Sequence, residues 1–281
     1  MKLLLFVVNY RSDEPLRHCL GSLPKAASVG AEPLQLQVHV QDNSEYDAVA
    51  RQRLRTMLGA LPDVTVLLHV AERNNGYFGG LPLAQQLAAQ QGSDVVIYSN
   101  PDLRFAPDFF TQLALLRGQS PGLLAPAIVS QQDGFDQNPK YLARLTRAKL
   151  LRLQRIYASA PGFTLFMGLA RLKEIVLGKR ARAVVPTAAA TPIYAAHGAA
   201  FVFTDPGFFQ ALPAYPCFLF GEELFVAEEA SQRGVPTTYR PELRIDDLRS
   251  QSISQLPGDF HRRLMLKSVE FILGRYYQAS A

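Results

Sequence analysis

The chain has 281 residues, 48% of them hydrophobic and 19% charged, which suits one large core and excludes a disordered chain. Its two cysteines, Cys19 and Cys217, lie far apart with no metal-like spacing, which excludes a disulfide scaffold or zinc module and fits a reducing, cytoplasmic setting. The net charge of +5 hides an asymmetry: Lys140 to Arg182 carries eleven Lys or Arg against the single acid Glu174, a segment of +10 on a remainder of −5.

In chain order, Leu3 to Val8 reads as a buried strand with Asn9-Tyr10-Arg11-Ser12 as its exit loop. Six apolar residues are too few for a signal-peptide core, and no run approaches the roughly 18 apolar residues of a membrane span. Leu16, Cys19, Leu20 and Leu23 then recur at helical spacing behind a Ser12-Asp13-Glu14-Pro15 start. A second strand, Leu34 to Val40, puts Asp42 just past its carboxyl end; a helix (Ala48 to Leu61) and a third strand (Val64 to Val70) follow. The stretch Asn74-Asn75-Gly76-Tyr77-Phe78-Gly79-Gly80 lets its backbone approach a ligand closely and runs into a helix, Leu81 to Gln91, whose N-terminus favours an anion. A flexible connector is the plainer reading, against which the aromatics Tyr77 and Phe78 argue.

Val95-Val96-Ile97-Tyr98-Ser99-Asn100-Pro101-Asp102 is a short buried strand that turns at its proline. Asp102 is thereby presented where open α/β sheets bind their ligands, and a carboxylate there suits a hard divalent cation holding a diphosphate. It equally suits a turn Asp that satisfies local backbone. A helix over Pro107 to Arg117 and a strand over Leu123 to Val129 complete an alternation that predicts a mostly parallel sheet with helices on both faces.

Residues 135–192 break the pattern. Leu142, Leu145, Leu150, Leu153 and Ile156 predict an amphipathic helix rimmed by Arg144, Arg147, Lys149, Arg152 and Arg155, and Leu165 to Leu177 predicts a second. Such a piece lies on an anionic membrane surface or packs as a solvated insertion. Nucleic acid is not expected as a partner, because no nucleic-acid-binding motif accompanies the charges. Ile193 to Phe203 returns to strand, interrupted by His197-Gly198-Ala199-Ala200, where small residues leave room for a ligand and His197 either contacts substrate or is structural. Phe220, Leu224 and Ala227 make a helical stripe that leaves Glu222 and Glu223 in the first turn, either as favourable charges on the helix dipole or as a pair in which one acts as general base. Thr237 to Arg240 is a short strand, Arg244 to Ser252 a polar loop, and Phe260 to Tyr276 a closing helix.

Taken together, Val8-Asn9-Tyr10, Asp42-Asn43-Ser44, the 74–80 glycine loop, Asn100-Pro101-Asp102, Gly198-Ala199-Ala200-Phe201 and Phe220-Gly221-Glu222-Glu223 resemble glycosyltransferase family 2, in its rhamnosyltransferase-like branch. The resemblance covers nearly the whole chain outside 135–192. It implies a single GT-A, Rossmann-like domain: a nucleotide-sugar-binding half (1–130), a basic helical insertion (135–192) and an acceptor and catalytic half (193–281). It further implies that Asn9, Tyr10 and Asp42 line the nucleotide pocket, that Asn75, Gly76, Gly79 and Gly80 cover the nucleotide, and that Asn100 and Asp102 face the diphosphate. Asp102 would hold Mg²⁺ or Mn²⁺, His197, Gly198 and Ala199 would face the acceptor, and Glu223 or its neighbour Glu222 would be the base. Where the family presents a metal-site histidine this chain reads Ile245-Asp246-Asp247, which implies either Asp246 or Asp247 as the substitute or a weak dependence on metal, with Ser250-Gln251-Ser252 near the phosphates. The implied activity is inverting transfer from a UDP- or dTDP-sugar to a glycan or lipid-linked glycan of cell-surface polysaccharide, in the cytoplasm or peripherally on the inner face of the membrane. An inactive nucleotide-sugar-binding subunit is the rival. A nucleotidyltransferase would need glycines after the first strand, which Asn9-Tyr10-Arg11-Ser12-Asp13 lacks.

Overall fold

The computed structural model describes residues 1–23, 34–62, 64–116, 118–119, 121–177, 189–248 and 258–278. Its first half alternates as the apolar pattern requires: β1 (Lys2–Asn9), α1 (Asp13–Gly21), β2 (Gln35–Asp42), α2 (Ala48–Gly59), β3 (Val66–Val70), α3 (Leu81–Gln91) and β4 (Val95–Ser99). Then come β5 (Leu103–Phe105), α4 (Phe109–Leu115), β6 (Leu123–Ser130), α5 (Arg147–Ala158), α6 (Ala160–Leu177), β7 (Thr191–Pro192), β8 (Ala200–Phe203) and α7 (Pro206–Ala211). The last elements are α8 (Glu222–Gln232), β9 (Thr237–Asp247) and α9 (Gly258–Tyr276).

One sheet runs in the order β3-β2-β1-β4-β8-β6-β9-β5, with β7 pairing on β9. β1 to β4 are mutually parallel, β8 is antiparallel to both its neighbours, and β6 and β9 run parallel again. The carboxyl ends of β1, β2, β4, β6 and β9 therefore share one edge with the start of β8. Alternation along β1 shows why the sheet is covered on both sides: Leu4 and Phe6 enter one core with Tyr98, Phe201 and Phe225, while Leu3, Leu5 and Val7 enter the other with Leu16, Ile97 and Phe109.

Three predicted elements differ from the observed ones. β2 runs on to Asp42, which pairs in register with Asn9, so this acid closes a strand instead of opening a loop. The long strand predicted over Ile193 to Phe203 shrinks to β8. The short strand over Thr237 to Arg240 extends through the supposed polar loop to Asp247, because Leu243 and Ile245 are buried in alternation with exposed Arg244. There β9 pairs with β6 on one side and with β5 on the other. In the insertion, Leu142 lies outside any helix; α5 starts at Arg147, where the Thr146 hydroxyl accepts from the Lys149 amide at 3.2 Å.

Candidate active site

The edge of the sheet is built first from β1 and β2. Asn9 and Asp42 are both buried, and Asn9 Nδ2 donates to Asp42 Oδ1 and Asp13 Oδ1, each at 3.1 Å. The same Asp42 oxygen accepts from the Ser44 hydroxyl and amide. Burial holds the Asp42 carboxyl above its ordinary value even though Ser44 and Asn9 donate to it. Asn9 Oδ1 is buried without a hydrogen-bond partner, so this corner keeps an acceptor that a ligand donor would satisfy. Tyr10 lies outside it, 40% exposed, with the Arg11 guanidinium 5.5 Å over its ring.

The glycine loop is fastened at both ends. Gly76 adopts φ +76°, and a Cβ there would sit 1.8 Å from the Phe218 carbonyl oxygen, so only glycine fits. Asn43 Nδ2 donates to the Gly76 carbonyl at 2.9 Å, and the Tyr77 amide donates to the Phe218 carbonyl at 3.3 Å. Phe78 to Gly80 form one turn of 3₁₀ helix leading into α3, and Gly80 is buried against Phe6, Gln41 and Tyr98, so close packing explains this glycine. Asn75 is exposed and accepts from Arg73 Nε at 3.1 Å.

Beyond the loop, the acidic residues converge around Tyr77. Its hydroxyl donates towards the Tyr98 carbonyl (3.4 Å) and the Ala199 carbonyl (3.5 Å), and Tyr98 returns a 2.6 Å bond to the Tyr77 carbonyl. Burial, then Tyr98 and the charges of Glu222, Asp102 and Glu223, raise the Tyr77 phenol well above its ordinary value. The Asn100 amide donates to the Ala199 carbonyl at 2.8 Å, which brings the turn after β4 against the segment before β8.

Gly221 (φ +82°) sets the entry to α8; a Cβ there would sit 1.9 Å from Ser268 Oγ. Phe220, predicted on the buried stripe of the helix, precedes it in the left-handed region with its ring stacked on His261 at 4.8 Å. The two glutamates of the first turn part company. Burial, reinforced by the neighbouring Glu223 charge, pushes Glu222 up to about 8. Burial acts the same way on Glu223, but Lys140, with Nζ 3.1 Å from Glu223 Oε1, and His197 outweigh it and hold that carboxyl below its ordinary value. Glu223 is thus the more readily ionised member of the pair. Gly198 faces Glu223, whose Cδ would lie 3.3 Å from a Cβ. The His197 amide donates to Asn138 Oδ1 at 2.7 Å, and its ring Nδ1 accepts from the Ala199 amide at 3.2 Å.

Asp246, expected at the metal site, is engaged by two arginines. It is a residue of β9 whose carboxylate is held by Arg104 at 3.0 Å and Arg244 at 3.1 Å, and these bonds outweigh burial to keep its pKa low. Asp247 accepts from Gln137 Nε2 at 2.5 Å. Ser250-Gln251-Ser252 lie outside the described residues. Sequence reasoning missed Lys140, which it counted among surface cations, and the Tyr77–Tyr98 pair. The buried tyrosine of β4 was the available signal, since a buried phenol needs a partner.

No protein-family model and no curated protein matches the chain. Among solved structures it is similar to GalNAc-T7 crystallised with UDP, GalNAc and Mn²⁺, at 13% identity and a TM-score of 0.61 over 98% of this chain and 49% of that one. It is similar also to the mannosyltransferase PcManGT from Pyrobaculum calidifontis in complex with GDP-Man and Mn²⁺ (11%, 0.53, 99% and 76%). A third is S. aureus TarS 1–349 in complex with UDP-GlcNAc (13%, 0.54, 99% and 68%). The chain spans about half the length of the first of these. The likeness establishes the fold: a GT-A α/β fold with a mostly parallel mixed sheet.

Proposed function

We propose that the chain is an inverting glycosyltransferase of the rhamnosyltransferase-like kind. It would move a sugar from UDP or dTDP, with dTDP-rhamnose among its donors, to a hydroxyl of a glycan acceptor in cell-surface polysaccharide synthesis. The observation that carries this reading is the convergence of Asn9, Asp42, the Gly76 loop, Asn100, Gly198 and Glu223 on the carboxyl edge of one sheet. The glycosyltransferases that share the fold were crystallised with UDP, GDP-Man or UDP-GlcNAc, which supports a nucleotide-sugar donor.

Asp42 and Asn9 would take the nucleoside: a uracil or thymine N3–H donates, and both side chains offer acceptor oxygens. The Gly76 loop and Tyr10 would border the nucleotide. Glu223, ionised at neutral pH, would accept the proton of the acceptor hydroxyl while its oxygen attacks the anomeric carbon and the nucleoside diphosphate leaves. Gly198 beside it leaves space for that hydroxyl, and His197 and Ala199 would border the acceptor.

A divalent metal fits this edge in a limited way. No cluster of three or more His, Cys, Asp or Glu suited to a metal occurs among the described residues. Mg²⁺ and similar ions need only one or two carboxylates when substrate phosphates supply further oxygens, and Asp102 is such a carboxylate. Asp102 would hold Mg²⁺ or Mn²⁺, which when bound neutralises charge on the diphosphate.

No helix among the described residues is long and apolar enough to cross a membrane. A lipid-linked acceptor would be met in the cytoplasm at an anionic membrane surface through the basic insertion.

The test is thermal stabilisation by UDP, dTDP, GDP and their sugars with and without Mn²⁺, followed by turnover with any donor that binds. A metal-dependent shift with UDP or dTDP, lost in Asp102→Ala, and turnover lost in Glu223→Gln with binding intact are expected. Absence of any nucleotide shift sinks the reading; binding without turnover in the wild type leaves a binding subunit.

A further inference from the structure

We infer that the outer face of α6 seats in the headgroup layer of an anionic lipid bilayer, with Leu165, Leu169 and Leu172 as the inserted ridge. This deepens the proposed meeting with a lipid-linked acceptor and rests on that reading only for its purpose, not for its physics. From Ala160 to Ala170 the helix carries apolar side chains on both sides. Its inner face packs Phe163, Phe166 and Met167 against the core beside Tyr157. Its outer face carries Pro161, Leu165, Gly168, Leu169 and Leu172, and from Ala160 to Ala170 the sequence contains no charged residue.

A surface helix ordinarily turns charged side chains to water. Here the three leucines stand at i, i+4 and i+7, on one stripe, and remain 64%, 57% and 55% exposed. An apolar stripe of that length left in water marks a contact surface.

The charges of the preceding helix say what kind of contact. On α5, which packs against α6, Lys149, Arg152 and Arg155 are exposed, and none has an ion pair among the described residues. Two further arginines, Arg144 and Arg147, are engaged by the protein itself, Arg144 with Glu228 and Arg147 with the Tyr277 carbonyl. Exposed cations on the helix that leads into an apolar stripe complement the phosphate headgroups above acyl chains. A second copy of the chain on this face would bring like charges together, which disfavours a homodimer.

The experiment is co-sedimentation of the full chain with vesicles of phosphatidylcholine alone or mixed with phosphatidylglycerol, at low and raised salt. The variants are the triple Leu165→Ser, Leu169→Ser, Leu172→Ser and the triple Lys149→Gln, Arg152→Gln, Arg155→Gln. All six side chains are exposed, so both variants should fold. The wild type is expected to bind the anionic vesicles and keep part of that binding at raised salt. The serine variant should partition roughly tenfold more weakly or worse, and the glutamine variant should lose its preference for anionic lipid. Failure of the wild type to bind, full binding by the serine variant, or a dimer that the serine variant dissolves would each overturn the inference. Thermal stabilisation by UDP or dTDP, measured in the same samples without vesicles, reports the donor site separately, so failure of one reading is distinguishable from failure of the other.

Discussion

Lys140 Nζ lies 3.1 Å from Glu223 Oε1, so a cation from the start of the basic segment is the ion-pair partner of the acid at the head of α8. Both groups reach the edge of the sheet from different directions: Lys140 from the segment after β6, anchored by its amide to the Ala195 carbonyl, and Glu223 from the first turn of α8. Burial alone would raise the Glu223 pKa; Lys140 and His197 reverse the sign. Replacing Lys140 by Met keeps the burial and removes the largest opposing attraction, so less of the base is ionised at a given pH. The acid limb of the kcat/KM–pH profile should move to higher pH in Lys140→Met and stay near the wild-type position in Lys140→Arg. Glu223→Gln should lower kcat by roughly a hundredfold or more. A limb that does not move in Lys140→Met would show that the pair does not tune the base.

Glu222 predicts a separate effect, on stability. Its carboxyl is raised from an ordinary 4.5 to about 8 by burial and by Glu223. Between those values the folded chain keeps a proton that the unfolded chain has lost, so this group lowers stability as pH rises from about 4.5 to about 8. Glu222→Gln cannot titrate and should remove that part of the decline. Melting curves of the two proteins across this window should diverge towards the alkaline end, with the variant the more stable. Parallel curves would mean that Glu222 is ionised in the folded state.

Much of the edge was legible because each residue ends an apolar run: Asn9 after Leu3 to Val8, Asp42 after Leu34 to Val40, Asp102 after Val95 to Ser99. Strand-ending polar residues signal position without any knowledge of partners. The far half of β9 was not legible, since Arg244-Ile245-Asp246-Asp247 reads as polar loop until β5 and β6 pair with it. The role of Lys140 was hidden for a related reason: it sits in a run of cations, and only the folded chain selects which of them faces inward. Arg144 was hidden in the same way, and Phe220 was misplaced because a left-handed non-glycine residue has no sequence signature.

Arg144 separates structural from surface cations in the insertion. Its guanidinium donates to both oxygens of Glu228 at 2.9 and 2.8 Å and to the Tyr276 carbonyl at 3.1 Å, and it lies 4.3 Å over the Tyr277 ring. Glu228 is buried and also accepts from Tyr194 at 2.5 Å. Arg144→Ala leaves that buried carboxylate short of its cation, which costs about 2–3 kcal/mol after allowance for the half-exposed arginine. Arg144→Lys should recover only part of this, because an ammonium cannot make the two-pronged contact. Arg152→Ala, at an exposed position with no ion pair among the described residues, should stay within about 0.5 kcal/mol of the wild type. Denaturant midpoints of the three variants check the order.

Asp102 and Asp246 are both acids at the carboxyl edge, and the structure gives them different surroundings. Asp246 sits between Arg104 and Arg244, opposite Arg104 in the β5–β9 register, so two guanidiniums occupy its oxygens. A divalent ion would have to displace both. Removing the carboxylate frees two arginines that are more than half exposed, so water solvates them and the fold should lose about 1 kcal/mol or less. Asp102 follows the turn at Pro101, and its charge is felt by Tyr77 together with those of Glu222 and Glu223, which sets it on the same side as the proposed chemistry. Mn²⁺-dependent stabilisation by UDP or dTDP should therefore vanish in Asp102→Ala. In Asp246→Ala the nucleotide affinity should stay within about twofold of the wild type, a difference of about 0.4 kcal/mol. Titrating Mn²⁺ at fixed nucleotide, with the melting point as readout, distinguishes the two. Equal loss in both variants would return Asp246 to the metal site and require Arg104 and Arg244 to swing away when the donor binds.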